Sequence, residues 1–375
     1  MKKLLIATAA LAMVAGTAQA QSSVEVFGVL DIGYSSESKK AQSGSATTDL
    51  TGINTGAGLS SSRLGFRGTE DLGGGLKAGF VYELGITAEN STSLHSVRQA
   101  LVSLSSSNLG SFNIGRGNTL GKNTNDGFTA FAGGGSFEQG AVTLEITRGE
   151  EVAAASTAAK NIKNAVDRAS NQATYTSPNF SGVTFSAQLV SKNSDSDATN
   201  GEASQGRGTS SASSAGADVA GPRGTAFQIA YAGGAFTAAY TRTDYETETE
   251  AATPAITETK LDQFGATYTM GGLKVFGLYN TAKYKASATA AEDQNKGFDI
   301  GATYTMGKTT LLASFGDGEI KTAAGATTDV KGMQAQIRYA LSKRTTAYAL
   351  YGKTEFENAT VGESDVTMIG LRHSF

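Results

Sequence analysis

Few side chains in this 375-residue chain are equipped for bond-making chemistry, and their spacing decides what remains possible. Its two histidines are His95 and His373, and it has no cysteine, which argues against a zinc centre. His373 stands two residues before the last, Phe375, and His95 lies near the start of a predicted strand, next to a loop, so neither has the setting of a general base. No Gly-x-Ser-x-Gly elbow occurs. Gly115 to Lys122 is glycine-rich and ends in Gly-Lys. Arg116, however, takes the place of the first glycine of a phosphate loop, and Asn123 replaces its Ser or Thr. No catalytic residue, metal ligand or cofactor is expected. What remains is charge: arginines and carboxylates, which steer ions rather than break bonds.

The elements that must position those charges are organised around one long stretch, from Gly117 to about Asp167. A connection of that length counts against an ordinary compact domain. In a wide β-barrel it has a use, because a loop folded into the lumen narrows the passage. An outer-membrane pore with 117–167 as its constriction loop is the expectation.

Composition agrees. Lys2 and Lys3, the apolar run Leu4–Ala15 and Ala18-Gln19-Ala20 read as a signal peptide over 1–20, cleaved before Gln21, leaving 21–375 as a single barrel domain. No later apolar run is long enough for a spanning helix. Without Lys2 and Lys3 there are 29 basic and 34 acidic side chains, a balance that gives nucleic acid no basic face. Mean hydropathy is slightly polar, at −0.19, and does not separate a soluble chain from a barrel whose apolar and polar faces alternate.

Periodicity does separate them. Phe298, Ile300, Ala302, Tyr304 and Met306 fall on one face of a predicted strand, and Asp299, Gly301, Thr303 and Thr305 on the other. Val24–Tyr34 and Met333–Leu341 alternate in the same way. Gly265-Ala-Thr-Tyr-Thr-Met-Gly271 recurs verbatim as Gly301–Gly307, a repeated hairpin with its Tyr near a membrane boundary. Tight turns, such as Asp71–Gly75 and Met270–Gly272, alternate with long polar connections. Sixteen strands result, from 24–35 to 365–375, in an all-β antiparallel transmembrane barrel. An even, closed set leaves no edge facing lipid, and about sixteen strands enclose water.

Val26–Asp31, Ser62–Gly73, Arg98–Val102, Phe112–Arg116, Tyr175–Gly182 and the ending Gly370–Phe375 resemble Gram-negative general porins, in the branch typical of betaproteobacteria. The resemblance spans the mature chain. It implies a sixteen-stranded homotrimeric barrel in the outer membrane, a third loop folded inward, and a terminal Phe375 read by the barrel-assembly machinery. It also implies a ladder of wall arginines facing acidic loop residues. By motif Arg63 and Arg98 match that ladder, with Arg168 and Arg116 as further members and Asp126 and Glu138 as the loop carboxylates. Arg67 shares the face of Arg63 nearer the periplasmic turn, where a structural role fits equally. The loop departs from many relatives in reading Gly135-Ser-Phe-Glu138 and in its alanine-rich part, Glu151–Val166.

Two functions are compatible with this reading. One is passive diffusion of small hydrophilic solutes and ions; the other is adhesion or reception through the long loops, and only the first requires conductance. Acidic groups at Asp195, Asp197 and Glu202 and at Glu246, Glu248 and Glu250 are solvated, or hold divalent cations that bridge lipopolysaccharide. The arginine ladder favours anions over the acidic loops, which salt screens over about 8 Å.

Overall fold

The computed structural model describes residues 23–41, 47–55, 58–86, 97–131, 167–191, 223–248, 256–287, 289–357 and 361–375. Residues 1–20, Glu138, His95 and the stretch 132–166 lie outside them. The strands are β1 Ser23–Ala41, β2 Thr47–Asn54, β3 Arg63–Gly73, β4 Leu76–Gly85, β5 Val97–Ser106, β6 Gly110–Asn118, β7 Arg168–Thr176, β8 Val183–Val190 and β9 Arg223–Gly233. They continue as β10 Phe236–Glu248, β11 Ile256–Met270, β12 Leu273–Lys285, β13 Glu292–Met306, β14 Thr309–Lys321, β15 Thr327–Ala340, β16 Thr345–Glu357 and β17 Val361–Ser374. Among the described residues one helix, α1 Leu120–Phe128, follows β6.

Neighbours in sequence pair antiparallel from β3 to β17, and β17 pairs with β1 from Val29↔Ser374 to Ala41↔Val361. The seventeen segments make a closed sixteen-stranded barrel because β2 and β3 share one position in the wall. Both pair with β1, β2 opposite its upper half and β3 opposite its lower half. The chain leaves the sheet after Asn54 and returns at Arg63. The seam is completed by Phe375, whose N–H and C=O bond to Gly28 at 3.1 and 3.0 Å.

The two faces of each strand differ as two solvents require. On β11, Phe264 and Tyr268 are exposed to the outside, while Thr259, Leu261, Gln263 and Thr267 are buried on the inside. Val102, Ile114, Ile229, Val275, Ile300 and Ile337 continue the outward apolar band on other strands. Backbone groups within that band are satisfied by the ladder, which lipid demands.

The strands run further than apolar alternation indicates. β13 begins at Glu292 rather than Gly297, and β14 ends at Lys321 rather than Gly316. These extensions are rich in Lys, Glu and Asp, so the ladder continues where the apolar pattern has stopped. The verbatim repeat closes two equivalent turns: Gly271 and Gly307 take φ of +59° and +57°, where a side chain would be strained.

Candidate functional site

Two regions of the inner face carry the site. The first is the wall of β9 to β14, on which the segment after β6 lies. Thr119 caps α1, its hydroxyl oxygen accepting from Lys122 N–H at 3.1 Å, and its own N–H donates to Asp167 C=O at 3.0 Å. The two ends of the long connection are thereby tied together. Leu120 N–H donates to Gln188 Oε1 at 3.2 Å. The Thr124 and Thr241 hydroxyls lie 2.6 Å apart, with Gln228 Nε2 donating to both. Gln263 Nε2 donates to Asn125 Oδ1. These are neutral partners that satisfy buried polar groups and so hold α1 in register.

Packing completes the attachment. Phe128 seats against Ala239 and Leu278, directly over Gly265, where a Cβ would overlap its ring. Ala130 and Phe131 pack with Leu312, and Ala130 stands 3.0 Å from where a Cβ of Gly301 would be. Burying each Phe contributes about 1.5–3 kcal/mol. The repeat noticed in the sequence thus has a second use: its first glycine, at 265 and again at 301, is the floor beneath the inward segment. Asp126 Oδ1 accepts from Lys122 Nζ at 3.2 Å, so α1 carries a paired charge rather than a bare carboxylate.

The second region is the wall from β15 round through β17 and β1 to β5. Arg63 and Arg98 share one carboxylate: Glu83 lies 3.6 Å from Arg63 Nε and 2.6 Å from Arg98 Nε, and is only 5% exposed. Arg98 gets there through a β-bulge, since Glu83 pairs with Gln99 while Leu84 pairs with Val97. The extra residue re-aims its side chain. Further round, Arg372 Nε donates to Ser60 Oγ at 3.1 Å and Arg338 Nε donates to Gln336 Oε1. Asp31 is buried between them and Arg63, accepting from Tyr348 O–H at 2.6 Å and from Ser60 N–H at 2.8 Å. Arg63, Arg98, Arg338 and Arg372 thus stand near the carboxylates of Glu83 and Asp31.

The remaining candidates sit elsewhere. Arg116 braces β5 to β7, donating to Val97 C=O at 2.7 Å and to Ser170 Oγ at 2.9 Å. Arg168 pairs with Asp167 at 3.1 Å. Arg67 pairs with Glu25 at 2.8 Å and lies over the Phe27 ring, 5.0 Å from its centroid. Glu246 pairs with Arg223 at 3.2 Å, and His373 Nδ1 meets Thr345 Oγ1 at 2.9 Å on the exposed side. Sequence reasoning missed Glu83, Asp31, Arg338 and Arg372. Strand parity offered a signal for three of them: Glu83, Asp31 and Arg338 alternate with outward apolar neighbours.

Comparison with known proteins bears on this arrangement. The family model described as Gram-negative porin matches residues 7–359. Outer membrane porin protein 32 of Delftia acidovorans is 48% identical over 118 residues, 31% of this chain and 32% of that protein. The curated relatives are matched over about a third of their length. An anion-selective porin from Comamonas acidovorans superposes with a TM-score of 0.73 at 25% identity, covering 95% of this chain and 100% of that one. The trimer form of in-vitro folded OmpT from Vibrio cholerae shares the fold, with a TM-score of 0.63 at 14% identity over 94% of this chain and 99% of its own. With that fold and a family match across nearly the whole sequence, the chain belongs to the Gram-negative porins, outer-membrane channel proteins rather than enzymes.

Proposed function

We propose that this protein is a homotrimeric diffusion channel for small hydrophilic solutes that favours anions. The observation that carries the reading is the wall of Arg63, Arg98, Arg338 and Arg372, which outnumber Glu83 and Asp31 and face an α1 whose Lys122 and Asp126 balance. Charges lining a narrow, water-filled passage bias which ion enters, and act at closer range than loop carboxylates screened by salt. Polar solutes align in the field of such a wall, and apolar ones would have to displace its ordered water. The anion selectivity named for the Comamonas relative is in keeping with this. The trimer proposed here is in keeping with the trimer form of the OmpT neighbour.

Arg116, Arg168, Asp126 and Glu138 belong to the same proposed constriction, with 117–167 as its loop. Phe375 would present the C-terminal ring to the assembly machinery, and lipopolysaccharide would surround the extracellular rim. The test is planar-bilayer recording of purified protein across a salt gradient. Stepwise conductance in three levels and a reversal potential of anionic sign are expected. Arg63→Ala with Arg98→Ala should move that potential toward cations. A folded barrel without conductance would overturn the channel, and a cation-selective wild type would overturn the preference.

A further inference from the structure

β1 is missing part of its partner. It pairs with Arg63 at Val29 and with Asn54 at Gly33, so Leu30 to Ile32 face the excursion between β2 and β3. The excursion does not hang free. Thr55, Ser60 and Ser62 are buried, and Ser62 Oγ takes the place of a strand: it accepts from Asp31 N–H at 2.9 Å and donates to Asp31 C=O at 3.2 Å. Ser62 N–H closes the neck on Thr55 C=O at 3.4 Å, and Ile86 N–H ties Ser62 C=O to the next strand at 2.9 Å. Leu59 packs with Tyr348, Leu350, Val366 and Met368. Gly58 lies so close to Tyr348 and Asp31 that a Cβ would overlap both.

The excursion touches two of the wall arginines. Arg63 Nη1 donates to Ser61 C=O at 3.2 Å, and Arg372 Nε donates to Ser60 Oγ at 3.1 Å. Asp31 grips the same short turn from beneath, its two carboxylate oxygens going to Tyr348 O–H and Ser60 N–H. We infer that Asp31, with Tyr348, is a positioning residue for selectivity: it anchors Ser60 and Ser61 so that they hold the guanidiniums of Arg372 and Arg63 toward the passage. A carboxylate inside an anion path then promotes anion passage through geometry, against the sign of its own charge. The inference rests on the anion preference proposed above.

Charge and anchoring make opposite predictions, and this gives the test. By charge alone, Asp31→Asn makes the lumen more positive and raises anion preference, while Tyr348→Phe changes nothing. By anchoring, both variants release the turn and let the two guanidiniums spread. Folded, heat-modifiable preparations of wild type, Arg372→Gln, Asp31→Asn and Tyr348→Phe would be recorded in planar bilayers across a KCl gradient. Asp31→Asn and Tyr348→Phe are each expected to lower the anion-to-cation permeability ratio by at least about twofold and to increase open-channel noise. Tyr348→Phe alters no charge and is the milder change, so it decides the matter if Asp31→Asn does not fold. An unchanged ratio in Tyr348→Phe, with Arg372→Gln still shifting the potential, would overturn the anchor and leave the arginine wall standing. A wild type without anion preference would overturn the underlying reading itself.

Discussion

The two inner walls of this barrel are built by different physics. Opposite α1, the wall is charged: guanidiniums and carboxylates sit at fixed positions on strands, and buried hydroxyls and amide hydrogens satisfy what ion pairing leaves over. Beneath α1 the contacts that hold the helix are neutral: glycine floors, aromatic rings and amide-to-hydroxyl bonds. A charge sets which ion passes but holds a loop poorly, because an ion pair in contact with water is worth little. A ring over a glycine holds a loop well and says nothing about ion sign. The division implies that selectivity and aperture can be altered separately.

Four substitutions bear on that division. The largest effect is expected from Glu83→Gln, which strips two partly buried guanidiniums of their shared partner. It should cost about 2–4 kcal/mol of unfolding free energy, measured by urea titration in detergent, and raise anion preference at nearly constant conductance. A conductance that changed as much as the selectivity would break the division. Next is Gly265→Val, whose side chain overlaps the Phe128 ring. A penalty of about 1–3 kcal/mol is expected from overpacking, together with a changed single-channel conductance and an unchanged sign of the reversal potential. Thr119→Ala removes the α1 cap and should cost about 1 kcal/mol, seen as faster proteolysis of the loop in otherwise folded barrels. The smallest effect belongs to Asp126→Asn. Loss of an i, i+4 pair with Lys122 is worth about 0.3–0.5 kcal/mol, and the reversal potential should move less than in Arg63→Ala. A larger shift from Asp126→Asn than from Arg63→Ala would place the selectivity on the loop instead.

Much of the fold was legible because alternation in a barrel reports two solvents at once. Tyr304 and Ile300 point to lipid and Asp299 to the barrel interior, and no distant contact is needed to say so. The polar strand ends were not legible: once the outward face turns from apolar to charged, as at Lys296 and Glu319, period two carries no hydropathy signal. β2 escaped for a related reason, since Thr47–Asn54 is a half-strand and its missing continuation is supplied by Ser62. Arg63 was readable from its motif and its parity. Arg98 was placed by a bulge, which adds a residue that no alternation rule anticipates. The pairing of Asp126 with Lys122 was available as i, i+4 spacing, but only once 120–128 was known to be helical.

The long strands have a consequence at the cell surface. Fifteen residues of β13 extend roughly 50 Å, and at a tilt of about 40° this rises nearly 40 Å, against an apolar band of about 25 Å. The hydrogen-bonded wall therefore stands clear of the lipid headgroups as a rigid parapet. Below the loop tips its outer side presents Lys and Glu paired across strands, as Lys283–Glu292, Lys296–Glu319 and Lys331–Glu357. Amide protons such as those of Lys296 and Glu319 should exchange with solvent as slowly as those within the bilayer.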